Sequence, residues 1–144
     1  MSLDDLVGAW RLQSFVFKDE DGNDFEPLGP TPKGAVVISA DGYLVLNFMA
    51  AGRAPYAEPV VLGGTEAERS AAAASFASFG GPCRIEGDTV VVEVEHAFHP
   101  NWVGGTQVRR FKLDGDRLTL QPTGPITIAR RMISGQASLR RFGS

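Results

Sequence analysis

The sequence predicts an all-β protein: an eight-stranded antiparallel up-and-down barrel with one helix between its third and fourth strands. Three observations carry this expectation. Several short segments alternate apolar and polar residues with period two, the signature of strands with one buried face. Turn residues recur between them at the short spacing of meandering sheets. One segment alone changes to a helical pattern. A sheet of this size removes its open edges most simply by closing on itself. Eight strands then enclose an interior that side chains can fill or that can hold one small ligand.

Taken in order, residues 6–18 form the first strand candidate, with Trp10, Leu12, Phe15, Val16 and Phe17 in an imperfect alternation that leaves its inner face open. Residues 19–32 read as loop, because Pro27, Pro30 and Pro32 cannot donate to a ladder. Residues 35–39 and 43–49 flank Ala40-Asp41-Gly42 and read as a hairpin. Both arms are almost wholly apolar, so periodicity does not choose their inner face.

After an irregular segment, Thr65-Glu66-Ala67-Glu68 has the form of a capping box, and Ala71 to Ala74 have high helix propensity. Phe76 and Phe79 extend the expected helix, and Gly80-Gly81-Pro82 are expected to end it. A short strand follows at residues 83–86. The most informative stretch comes next. Val90, Val92, Val94, His96 and Phe98 share one face of a strand, opposite Glu93 and Glu95. Gln107, Arg109, Phe111 and Leu113 share one face of the next, and Asp114-Gly115-Asp116 turns into Leu118 and Leu120. Two tail strands are expected within residues 126–132 and 137–142, broken at Gly135.

Length and composition narrow the function. At 144 residues the chain is expected to be one domain with a core of its own. A net charge of −3 without a basic cluster argues against nucleic acid. The single cysteine, Cys83, excludes an internal disulfide and is read as an inert thiol. No apolar run approaches the length of about 18 residues that suggests a membrane helix, and no charged-then-apolar leader opens the chain. A cytoplasmic protein is expected. No phosphate loop, dinucleotide fingerprint or serine nucleophile motif occurs, no cofactor is called for, and a homodimer is left open. His96 and His99 are too few for a zinc site without carboxylates.

The candidate site rests on polar residues placed on inward faces, where each needs a partner or a ligand. His96 is read as ligand-binding and, in an enzyme, as the proton carrier. Phe98, Trp102, Gln107 and Arg109 join it as ligand-binding candidates. Tyr43, Asn47 and Met49 share one side of their strand and would suit a mixed pocket wall, provided that side faces inward.

Several segments together resemble the small bacterial and fungal lipocalin-like domain family. Leu6-Val7-Gly8-Ala9-Trp10-Arg11-Leu12 is similar to the Gly-x-Trp opening of lipocalins. Pro27-Leu28-Gly29-Pro30, Gly34 and Asp41-Gly42-Tyr43 follow the pattern. Pro100-Asn101-Trp102-Val103-Gly104, in register with Gln107, Arg109 and Asp114-Gly115-Asp116-Arg117-Leu118, is the most specific segment. The resemblance implies a barrel that binds a small, largely apolar molecule, and a structural role for Trp10 with Arg109 stacked on it. It leaves open a cyclase, isomerase or hydratase acting on a polyketide- or terpenoid-like substrate in the same cavity. A filled barrel that works through its surface is the third reading.

Overall fold

The computed structural model describes residues 1–124, 126–128 and 131–144. Its strands are β1 (Gly8–Lys18), β2 (Asp24–Phe25), β3 (Lys33–Ile38), β4 (Tyr43–Met49), β5 (Phe76–Glu86), β6 (Thr89–Glu93), β7 (His96–Ala97), β8 (Thr106–Asp114), β9 (Arg117–Pro122), β10 (Ile126–Ile128) and β11 (Arg131–Arg141). The helix α1 (Glu66–Ala74) lies between β4 and β5. Eight strands form a ring in the order β1-β3-β4-β5-β6-β8-β9-β11, and antiparallel pairing of β11 with β1 closes it. The helix is therefore between the third and fourth strands of the ring, as the sequence predicts. The short strands β2, β7 and β10 pair with the ends of β1, β5 and β11 that surround one opening. They form a collar around that mouth.

The opposite end is sealed. A single 3-10 turn, Leu3–Asp5, leads into Leu6, which is fully buried beside Trp10. The Trp10 indole Nε1 donates to the Leu6 carbonyl at 2.9 Å, so the ring is buried with its one polar group satisfied. Val36, Leu118 and Leu139 complete this packed layer.

Two irregularities decide which side chains face inward. In β1 the pairing with β11 shifts by one residue between Leu12 and Ser14. Trp10 and Leu12 point inward before this bulge, and Phe17 is buried after it. A bulge of one residue exchanges the two faces of a strand, which explains the imperfect alternation of that segment. The second lies beyond β6. Val92 pairs with Cys83, but His96 pairs with Gly80, so one extra residue sits opposite Gly81 and Pro82. The predicted continuous strand from Val90 to Phe98 is thus two strands with a break at Val94 and Glu95, and the inward parity ends at Val94.

The same bulge corrects the predicted end of the helix. Helix α1 has the expected capping box: Thr65 Oγ1 accepts from the Glu68 amide at 3.1 Å, and Glu68 Oε1 accepts from the Thr65 amide at 2.8 Å. It stops at Ala74, however, and Phe76 and Phe79 belong to β5. Gly80-Gly81-Pro82 are strand residues, not a helix terminator. A side chain at Gly80 would collide with the His96 ring, and one at Gly81 with the Glu93 carbonyl. Pro82 is tolerated inside the sheet because it faces the bulge, where a regular ladder hydrogen bond is not formed. Gly135 is likewise not a break. It lies within β11, where a Cβ would collide with the backbone of Val16 and Phe17 on β1. The predicted tail strand over residues 126–132 is a hairpin of β10 with the start of β11; residues 129 and 130 of that prediction lie outside the described residues.

Candidate functional site

The barrel holds a cavity of about 730 Å³ at its collared end. This is within the roughly 300–1,000 Å³ of ordinary small-molecule pockets. Its wall is mostly apolar and rich in aromatic rings: Phe15 and Phe17 from β1, Phe48 from β4, Phe76 and Phe79 from β5. Phe25, Pro27 and Leu28 reach it from the Pro-rich connection after β1, and Ala73 and Ala74 of α1 cover one side. Leu120 and Ala137 form part of the floor, above the packed layer around Trp10.

Strand β8 contributes the polar part. It carries no bulge, so Gln107, Arg109 and Phe111 follow one another down a single inward column. Gln107 and Arg109 both line the cavity, with Arg109 one pleat deeper. The Gln107 side chain makes no hydrogen bond among the described residues. Arg109 Nη1 donates to the Val108 carbonyl at 3.0 Å, and its guanidinium carbon lies 5.6 Å from the centre of the Phe79 ring. No acidic side chain among the described residues pairs with it. The guanidinium is enclosed by protein on most sides, and burial draws its pKa down to about 10. It therefore remains cationic at neutral pH. No fully buried side-chain nitrogen or oxygen among the described residues lacks a partner. The remaining Arg109 donors thus touch the space inside the cavity.

Trp102 and Phe98 form the rim. Trp102 ends a 3-10 turn, Pro100–Trp102, and packs edge-on against Phe79 at 5.8 Å. Phe98 packs edge-on against Phe76 at 5.9 Å. His99 lines the mouth as well and meets Trp102 edge-on at 5.3 Å.

The other sequence candidates lie elsewhere. His96 is on the outer face, because the bulge after β6 reverses the parity on which its inward placement was based. Its ring covers Gly80 and stacks on Tyr43 at 6.2 Å. Tyr43, Asn47 and Met49 also face outward, since Leu44, Leu46 and Phe48 take the inward positions of β4. Tyr43 Oη donates to Glu95 Oε1 at 2.9 Å, and that hydrogen bond raises the phenol's pKa. Burial pushes the Cys83 thiol up, which lowers its thiolate fraction. No group of three or more histidine, cysteine or acidic side chains among the described residues is placed to hold a metal ion. No helix among them is long and apolar enough to cross a membrane.

Arg109 does not stack on Trp10. Arg141 does, with its guanidinium carbon 4.2 Å from the ring centre. Strand β11 lies next to β1 and pairs Arg141 with Trp10 directly, whereas β8 lies across the barrel.

A closed ring of eight strands, a Gly-x-Trp strand at its sealed end and an arginine laid over that tryptophan agree with the sequence comparison. The chain matches the lipocalin-like domain family over residues 7–139. It belongs to that family. A search of curated proteins found no match to the chain. Within this lipocalin-like domain, the cavity residues missed by sequence reasoning are mainly Phe15, Phe17, Phe48, Phe76, Phe79 and His99. The facing of Phe15 and Phe17 is set by a bulge and that of Phe48 by an arm without alternation; Phe76 and Phe79 were expected in the helix, and His99 precedes the 3-10 turn at Pro100.

Proposed function

We propose that this lipocalin-like barrel binds a small, largely apolar molecule in the cavity at its collared end. The supporting observation is the cavity itself: about 730 Å³, walled by aromatic rings, with two polar side chains from one strand inside it. A closed sheet supplies a dry concave wall, and a few polar anchors fix a ligand's orientation. A barrel filled by its own side chains is disfavoured by the same volume. Helix α1 sits over the mouth with no buried residue of its own, so it covers a bound molecule without being part of the core. The alternative, a cyclase, isomerase or hydratase, needs a group that moves a proton inside the cavity. The residue assigned that task, His96, is outside it, and the one imidazole that lines the cavity, His99, is at its mouth, edge-on to Trp102.

Trp102 makes a direct test available, since the chain has two tryptophans and the other, Trp10, is sealed in the core. A neutral aminoanthracene probe should quench the emission of Trp102 saturably and with one-to-one stoichiometry. Ala137→Phe, which places a ring on the cavity floor, should abolish the quenching while the protein stays folded. Non-saturable quenching, or equal quenching in Ala137→Phe, would count against binding in the barrel.

A further inference from the structure

We propose that the ligand is an apolar monocarboxylic acid, bound with its carboxylate at the floor of the cavity against Arg109 and its hydrocarbon body toward the mouth. This rests on the binding function proposed above and specifies its ligand class. The argument begins with charge. Arg109 is the one Lys or Arg among the described residues that line the cavity. The acidic residues on and beside the neighbouring strand β6 are engaged outside: Glu93 with Arg84 and Thr106, Glu95 with Tyr43, and Asp88 with Arg110. A cation held in an apolar enclosure without a counter-ion carries an uncompensated desolvation cost. A ligand anion at that point removes it.

Geometry favours a carboxylate. The guanidinium offers a planar fork of donors that matches two carboxylate oxygens, and a pair of this kind is strong in a low-dielectric site. The ring of Phe79 beneath Arg109 and the hydrogen bond to Val108 hold the fork in place without consuming its remaining donors. Gln107, one pleat nearer the mouth, supplies an amide donor for an oxygen at the head group. A single positive charge balances a singly charged head, whereas a phosphate monoester would bring roughly two negative charges to one cation. Above these two residues the wall is Phe48, Phe76 and Phe98, with no further Lys or Arg among the described lining residues. An apolar body oriented outward meets only surfaces of its own kind.

The test uses one carbon skeleton with different heads. Dodecanoate, dodecanamide, dodecanol and methyl dodecanoate would each be used to displace the aminoanthracene probe from the wild-type protein. Dodecanoate should displace it at a concentration about tenfold or more below the three neutral compounds, the gain expected of a charge-assisted hydrogen-bonded pair. In Arg109→Met, the preference of dodecanoate over dodecanol should be lost, with each displacement referred to the probe's own affinity for that variant. Arg109→Lys should recover only part of the preference, because it keeps the charge and loses the fork. Equal displacement by all four compounds in the wild type overturns the carboxylate inference and leaves the binding function standing. So does a preference that survives in Arg109→Met. Failure of the probe and of all four compounds to bind overturns both. The comparison of heads on the wild-type protein needs no variant, so a poorly folding Arg109→Met would not leave the inference unexamined.

Discussion

Two arginines lie over aromatic rings at opposite ends of this barrel, and they differ in everything else. Arg141 sits 4.2 Å over Trp10, donates to the carbonyls of Val7 and Asp5 at 3.0 and 3.1 Å, and has Asp116 at 3.9 Å. It ties the first and last strands to the N-terminal turn. Arg109 lies 5.6 Å from Phe79, donates to the carbonyl of its own neighbour, and has no ion-pair partner among the described residues. Around Arg141 the side chains are packed; around Arg109 they leave a cavity. A cation that bridges two carbonyls and an acid of the chain is part of the fold. A cation whose donors open into a cavity is available to something else, and the fold carries its desolvation as a cost.

The first way to break this comparison is to remove each charge in turn. Arg141→Met should show the largest effect, a loss on the order of 2–4 kcal/mol, from the missing cation–π contact and the two carbonyls left without their charged donor. For a domain of this size that is a fall in Tm of roughly 10 °C. Arg109→Met should leave stability within about 1 kcal/mol of the wild type, or raise it, because an apolar chain of similar length replaces an unpaired buried charge. Thermal unfolding of the two variants in the same buffer decides the matter. If Arg109→Met falls as far as Arg141→Met, Arg109 is a structural residue and the distinction between the two ends collapses.

The same two ends show how much the sequence revealed. Strand β8 is regular, so its period of two placed Gln107, Arg109 and Phe111 on the inward face directly. The capping box at Thr65 and Glu68 is a local device, and it was legible for the same reason. Strand closure and the position of the helix followed from turn spacing. What was not legible depends on contacts between distant segments. The bulge in β1 is defined by its partner β11, and the one after β6 by Gly81 and Pro82 of β5. Nothing in residues 90–98 alone announces that the even-numbered inward parity ends at Val94. Glycines read as turns at Gly80, Gly81 and Gly135 are places where neighbouring groups come too close for a Cβ. Strand β4 is apolar on both faces, so only its pairing shows that Phe48, and not Met49, faces the cavity. The pairing of Arg141 with Trp10 likewise needs the closure of the ring, which joins residues far apart in the chain.

The smallest expected effect belongs to His96, and it tests the bulge itself. With the strand unbroken, His96 would stand inside the barrel two positions from Val94, and its loss would change ligand affinity. With the bulge, its ring lies outside, over Gly80 and against Tyr43. His96→Gln should then leave the affinity for the aminoanthracene probe and for dodecanoate within about twofold of the wild type, since neither ligand touches it. Stability should fall by less than about 1 kcal/mol, the scale of a lost aromatic contact on a partly exposed face. A glutamine keeps hydrogen-bonding capacity but does not cover Gly80 as a ring does, so the small loss should appear as faster hydrogen exchange in β5 and β7 and not in β8. A tenfold loss of affinity in His96→Gln would return this residue to the cavity and remove the register shift between Gly80 and Cys83 on which the outward placement depends.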